Sequence, residues 1–232
     1  MKVRNVLVAV LFVIGSASMS YADLIASYID FNMDANHPSS ANIKYEGGNN
    51  PLIASDLQVD KVQGFTSDGT KTKETSLNGG VLSFTTGNLS SYDSDSKTWV
   101  FNAGGTLQVT GTPVDFTAGE YLLKSTSLGP ITVRTVYDGF YSKFNIAYSS
   151  FPDDKDAALV TYFFGASKPG FLGALNLSFL TNEDPEKGGS FISSSVLDGH
   201  VYNTPVPLPE AFWLLGSGLI ALVGIRRKAF FG

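Results

Sequence analysis

The chain has no cysteine and only two histidines among its 232 residues. The first absence excludes disulfides, thiolate metal ligands and thiol nucleophiles. The second leaves His37 and His200 as the sole imidazoles. A histidine-rich metal centre is therefore excluded, and a Ser-His-Asp relay would depend on one of these two residues. Both read as solvated loop histidines. Basic residues are also scarce. Between 23 and 209, 11 Lys and Arg stand against 20 Asp and Glu, a balance of −9. Such a body has no electrostatic reason to bind nucleic acid or an anionic membrane. That same stretch has one tryptophan, Trp99, and no convincing run of apolar residues at helical spacing.

Long hydrophobic runs occur only at the two ends. Residues 1–22 read as a secretory signal peptide. Lys2 and Arg4 make the positive start, 6–14 (VLVAVLFVI) the apolar run, and Ser20 and Ala22 the small-residue exit before Asp23. Signal peptidase is the implied partner, and the alternative is a first buried helix. The other run, 211–225, has 15 residues with no polar face. As a straight helix it measures roughly 22 Å, against a hydrocarbon core of ~30 Å. Snorkelling by Arg226 and Arg227 or local thinning closes that gap, so it is expected to span. The basic cluster Arg226, Arg227 and Lys228 is expected to stay cytoplasmic, with the body outside. Val206, Pro207, Leu208 and Pro209 precede the run, and the prolines keep this segment extended, a form that suits a protease cleft.

The order of motif, apolar run and basic cluster over 206–228 resembles the PEP-CTERM sorting signal in its VPLP-type variant. The resemblance implies recognition by an exosortase-type membrane protease in a Gram-negative, exopolysaccharide-producing cell. It departs from the commonest form in reading Pro-Leu-Pro where many members have Pro-Glu-Pro, although Glu210 follows directly. The chain thus divides into a signal peptide (1–22), a body (23–204) and a sorting signal (205–232) with a transmembrane helix at 211–225.

The body reads as all-β: an antiparallel, jelly-roll-like β-sandwich, flanked by the signal helix and the transmembrane helix. Gly, Ser, Thr and Asn are abundant, and short alternating runs are separated by turn residues. Strands are expected at 24–31, 57–65, 81–86, 98–101, 106–110, 121–127, 131–137, 140–148, 158–164, 174–180 and 191–196. Polar loops are expected at 34–51 and 68–78. Asp138-Gly139 suits a two-residue hairpin turn. It would place Tyr137 opposite Phe140, Val133 opposite Phe144 and Ile131 opposite Ile146, with Arg134 unfavourably facing Lys143. Gly79-Gly80-Val81-Leu82 is echoed by Gly104-Gly105-Thr106-Leu107. Evenly spaced copies would suggest a β-helix, but a third, poorer copy at Gly188 is out of step. Runs at 80–85, 122–125, 164–165 and 175–179 resemble those of one recurrent kind of PEP-CTERM passenger, which implies a secreted β-rich domain and carries over no catalytic residue.

No catalytic residue, cofactor or metal ligand set emerges, and an enzyme is not expected. Acidic clusters lie at Asp93/Asp95, Asp153/Asp154/Asp156 and Glu183/Asp184/Glu186. Asp93 and Asp95 with their serines offer oxygens to Ca2+, but the loop lacks the glycine and distal glutamate of a complete calcium loop. Turn formation is the competing account. For glycan contact the candidates are Trp99 and Tyr141, with burial of Trp99 in the core as the alternative. The expected function is that of an exported envelope or extracellular-matrix protein. It would be non-catalytic, structural or interaction-forming, and associated with exopolysaccharide. The alternatives are a carbohydrate-binding module and, behind it, a glycan hydrolase.

Overall fold

The computed structural model describes residues 28–33, 42–66, 68–137, 142–147, 150–165, 170–181 and 189–206. In chain order the strands are β1 (Tyr28–Met33), β2 (Asn42–Tyr45), β3 (Pro51–Gln58), β4 (Lys61–Phe65), β5 (Lys71–Asp93), β6 (Thr98–Phe101), β7 (Gly105–Pro113), β8 (Leu123–Ser125), β9 (Ile131–Tyr137), β10 (Ser142–Ala147) and β11 (Ser150–Lys155). One helix among the described residues, α1 (Ala157–Phe164), comes before β12 (Gly170–Thr181) and β13 (Phe191–Val206). The body is all-β as expected, and the pairings among the described strands are antiparallel. This is not the coil of parallel rungs that a β-helix requires.

The pairings form a circuit. Stepping from β12 through β13, β1, β4, β5, β6, β9 and β10 leads back to β12. The 23-residue β5 makes this closure possible by changing neighbours along its length. Its first third pairs with β4, its middle with β3 and β7, and its last residues with β6. Burial alternates along β5 but changes parity between Leu77 and Leu82. A register shift between Asn78 and Val81 accounts for the change. A bulge adds one residue and turns the next side chains to the other face.

The two glycine-led echoes are neighbours. Leu82 pairs with Val109, Phe84 with Leu107, and Thr86 with Gly105. Each glycine-rich start therefore lies near the far end of the other copy. At Gly105 the backbone has φ +78, and a Cβ there would be driven into the Thr85 carbonyl oxygen.

Three sequence expectations fail, each for a physical reason. Residues 158–164 form α1 and not a strand. Asp156 caps the helix, its Oδ1 accepting from the Ala158 and Leu159 amides at 2.8 and 3.1 Å, and Gly165 closes it with φ +75. These end signals outweigh the β-favouring run LVTYFF. Polar loops were expected at 34–51 and 68–78, but β2 and the start of β5 occupy parts of both. In β2 Ile43 and Tyr45 face the core while Lys44 between them is exposed, and residues 71–74 of β5 are exposed on both faces. The hairpin register differs by two: Tyr137 pairs with Ser142, Thr135 with Phe144 and Val133 with Ile146. Four residues, not two, separate the paired ends, and Arg134 lies opposite Asn145.

Gly105→Ala combines a left-handed backbone with a steric collision, whereas Gly48 has φ +66 and open space around its Cα. Left-handed strain alone costs about 1–2 kcal/mol. Thermal and denaturant melts should show Gly48→Ala losing about that much. Gly105→Ala should lose more, with overpacking adding about 1–3 kcal/mol.

Candidate functional site

The outward face of β12, β13, β1 and β4 is the most chemically varied surface among the described residues. Along β1, Ile29, Phe31 and Met33 point into the core, so Tyr28, Asp30 and Asn32 point outward. The registers place the outward residues in rows. Leu172 pairs with Thr204, and Tyr28 with Phe65. One step along, Ala174 pairs with Tyr202, Tyr202 with Asp30, and Asp30 with Gln63. The next row is Asn176, His200, Asn32 and Lys61. Successive rows are ~6.8 Å apart. Across these four strands the face thus grades from apolar and aromatic, beside the end of β13, to polar and charged further away, while the adjoining β5 brings exposed Lys71 opposite Phe65.

Ring contacts join the rows. Tyr28 stacks on Phe65 at 4.9 Å and meets Tyr202 edge-on at 6.3 Å, and Tyr202 stacks on His200 at 5.2 Å. Stacked rings cover one another's faces, so the row presents ring edges to solvent.

His200, expected as a solvated loop residue, instead lies within β13 and is the most engaged ionisable group on this face. Its Nδ1 lies 2.8 Å from Asp30 Oδ2, and its Nε2 lies 3.3 Å from Asp198 Oδ1. Asp30 is almost wholly buried, and its Oδ1 has no hydrogen-bond partner. Burial pushes the Asp30 carboxyl up, against the opposing pull of His200. The hydrogen bond to Asp30 pushes the His200 imidazole up, with Asp198 adding to it. Both ring nitrogens face carboxylates, so neither is free to serve a nucleophile as general base. The arrangement favours the imidazolium and ties β1 to β13.

The second buried charge pair lies at the end of β11. Lys155 Nζ contacts Asp153 Oδ1, and both side chains are fully buried. Nζ also sits 4.0 Å from the Phe171 ring centroid. Desolvation lowers the Lys155 amine to about 8 and raises the Asp153 carboxyl. A lysine this low would suit nucleophilic chemistry, but nothing reaches it from solvent. Its neighbours in the acidic cluster do separate jobs. Asp154 accepts from the Tyr121 hydroxyl at 2.6 Å, and Asp156 caps α1 while its Oδ2 takes the Gly119 amide at 3.0 Å.

The other candidates resolve in similar ways. Asp93 accepts the Asp95 and Ser96 amides and the Ser96 hydroxyl, which closes the β5–β6 turn. These bonds hold its carboxyl below the ordinary range. Among the described residues, no group of three or more His, Asp or Glu is placed to hold a metal ion. A cavity of about 390 Å³ lies along residues 111–119, where Val114 and Phe116 flank Asp115. Trp99 is fully buried and has no face for a glycan. Tyr141, His37, Glu183, Asp184 and Glu186 lie outside the described residues, as do Pro207, Leu208, Pro209, Arg226, Arg227 and Lys228. Val206 ends β13, paired with Gly170. The Asp30–His200 contact joins residues 170 positions apart, so only the strand register reveals it.

Because the His200 pKa is raised above 6.5, its contribution to stability is full below that value. It is lost as pH rises through the folded pKa. The raised Asp30 value acts with the same sign at lower pH, above 3.8. Subtracting the melting temperature of His200→Gln from that of the native protein should give a difference that shrinks as pH rises from 6 to 8. A pH-independent difference would rule out this linkage.

Lys155→Met leaves a buried carboxylate without its partner and should cost about 3–5 kcal/mol in denaturant melts. The double change Lys155→Met with Asp153→Leu should recover most of that loss. The chain matches no family model, no curated protein and no solved structure.

Proposed function

We propose that this is an exported, non-catalytic structural or interaction protein of the cell envelope or extracellular matrix. It is delivered by an exosortase-type protease and associates with exopolysaccharide. The observation that carries this reading is the order of segments: signal peptide, β-rich body, Val206–Pro209 motif, apolar run and basic cluster. The fold fits that order, because the body's last strand, β13, ends at Val206, the first residue of the motif. In this reading the carboxylates and imidazole serve turns, caps and ion pairs.

We read the body as an antiparallel sandwich whose long strands, β5 above all, pass from one layer to the other and so close the circuit of pairings. Rings from strands that do not pair meet across its interior: Tyr45 on β2 meets Phe101 on β6 edge-on at 5.4 Å. Trp99 on β6 meets Phe191 on β13 at 5.5 Å.

Intact-mass analysis from the native host, with and without the exosortase, tests the sorting reading. The expected mature chain starts at Asp23 and ends near Pro209 only when the enzyme is present. Added mass on the body would indicate glycan decoration. A full-length C-terminus in both strains would sink the reading.

A further inference from the structure

We propose that in the precursor, before the tail is cut, the end of the body from which the tail departs lies against the membrane, with its aromatic row seated in the lipid headgroup zone. This rests on the reading that 211–225 spans the bilayer. The first argument is tether length. Sheet pairing continues to Val206, and the apolar run begins at Ala211. Five residues reach at most about 17 Å when fully extended. The body is therefore held beside the membrane at an effective concentration in the ~mM range, where weak surface contacts are populated.

The second argument is what this end of the body presents. Leu172 is 41% exposed, and Tyr28 and Phe65 are half-buried in the same outward row. Phe163 and Phe164, also half-buried, end α1 close by, with the Phe164 ring 5.3 Å from that of Phe171 near the start of β12. Tyr202 lies one row further in, and beyond it come Asp30, His200, Asn32 and Lys61. Aromatic rings with one wet edge favour the membrane interface, while charged groups favour water above it. Across β12, β13, β1 and β4 the gradient runs in the direction that a bilayer at the tail end requires, and Lys71, paired with Phe65 on the β5 side, has the long stem to snorkel toward water. Attraction of charge does not drive the contact, since the body carries −9. The tether and the apolar row do, and high salt should leave the contact intact.

The absence of cysteine makes the test clean. The full chain carrying Leu172→Cys or Ile192→Cys is nitroxide-labelled and reconstituted in vesicles of phosphatidylethanolamine and phosphatidylglycerol. Ile192 is 47% exposed and sits at the opposite end of β13. The expected result is that the label at 172 gains access to oxygen and loses access to a water-soluble nickel chelate, while the label at 192 reads as water. Adding Tyr28→Ser and Phe65→Ser should return the label at 172 to water with the chain still floating with the vesicles. Water-like accessibility at 172 in the vesicle-bound native face would overturn the proposal and leave the anchor reading intact. Failure of the chain to float with vesicles would overturn both. Shielding of the label at 172 by a soluble neutral polysaccharide, without lipid contact, would assign the face to a glycan and overturn the membrane assignment.

Discussion

The structure depends on one cluster of rings. Phe191 packs against Phe144 at 4.8 Å, against Trp99 and Tyr45 at 5.5 Å, and against Phe179 at 6.0 Å. These residues come from β13, β10, β6, β2 and β12, so five strands meet in one place. With no disulfide available, this packing is what ties distant parts of the chain together. Each buried aromatic side chain is worth about 1.5–3 kcal/mol by transfer, and favourable ring geometry adds ~0.5–1.5 kcal/mol per pair. The Trp99 indole Nε1 is buried without a partner, a loss of about 1–3 kcal/mol. Burying ~200 Å² of indole at ~25 cal/mol per Å² outweighs that loss. Trp99 is therefore committed to the core by magnitude as well as by position.

Strands with one buried face were legible in the sequence. Residues 98–101 and 131–137 alternate, and they fold as β6 and β9 with the expected bounds. The hairpin shows where that signal stops. Moving the register by two residues keeps every side chain on its own face. Hydrophobic patterning therefore cannot separate the Asp-Gly register from the observed one, and only the turn chemistry argued for the former. In the fold, β9 is also held on its other side by β6, with Phe101 opposite Ile131. Tertiary pairing of this kind overrides a local turn preference. The start of β5 and the short β2 were illegible for a different reason: one is exposed on both faces, and the other is too short to set a pattern.

The candidate face was less legible still. Its rows draw on four strands, and each row joins residues far apart in sequence, Asp30 and His200 among them. The sequence shows the residue types but not the rows, because each row exists only once the antiparallel registers are known. What composition does show is the surplus of carboxylates. Among the described residues, four of them have local structural duties. Asp93 closes a turn, Asp156 caps a helix, Asp153 pairs with a buried lysine, and Asp30 with a half-buried histidine. Each carboxylate is used within a few ångströms of its own backbone or by one facing side chain.

β13 connects these features. Its first residue, Phe191, belongs to the ring cluster, its middle carries His200 and Tyr202 on the outward face, and its last, Val206, directly precedes Pro207. β12 accompanies it along its length. The pairing with β1 stops at Asn203, so Pro205 falls where β13 has β12 alone beside it. A proline is tolerated there because no second ladder asks for its missing N–H. Pro207 then lacks the N–H needed to continue a ladder. The same chemistry that permits β13 to run to Val206 also limits how far it runs.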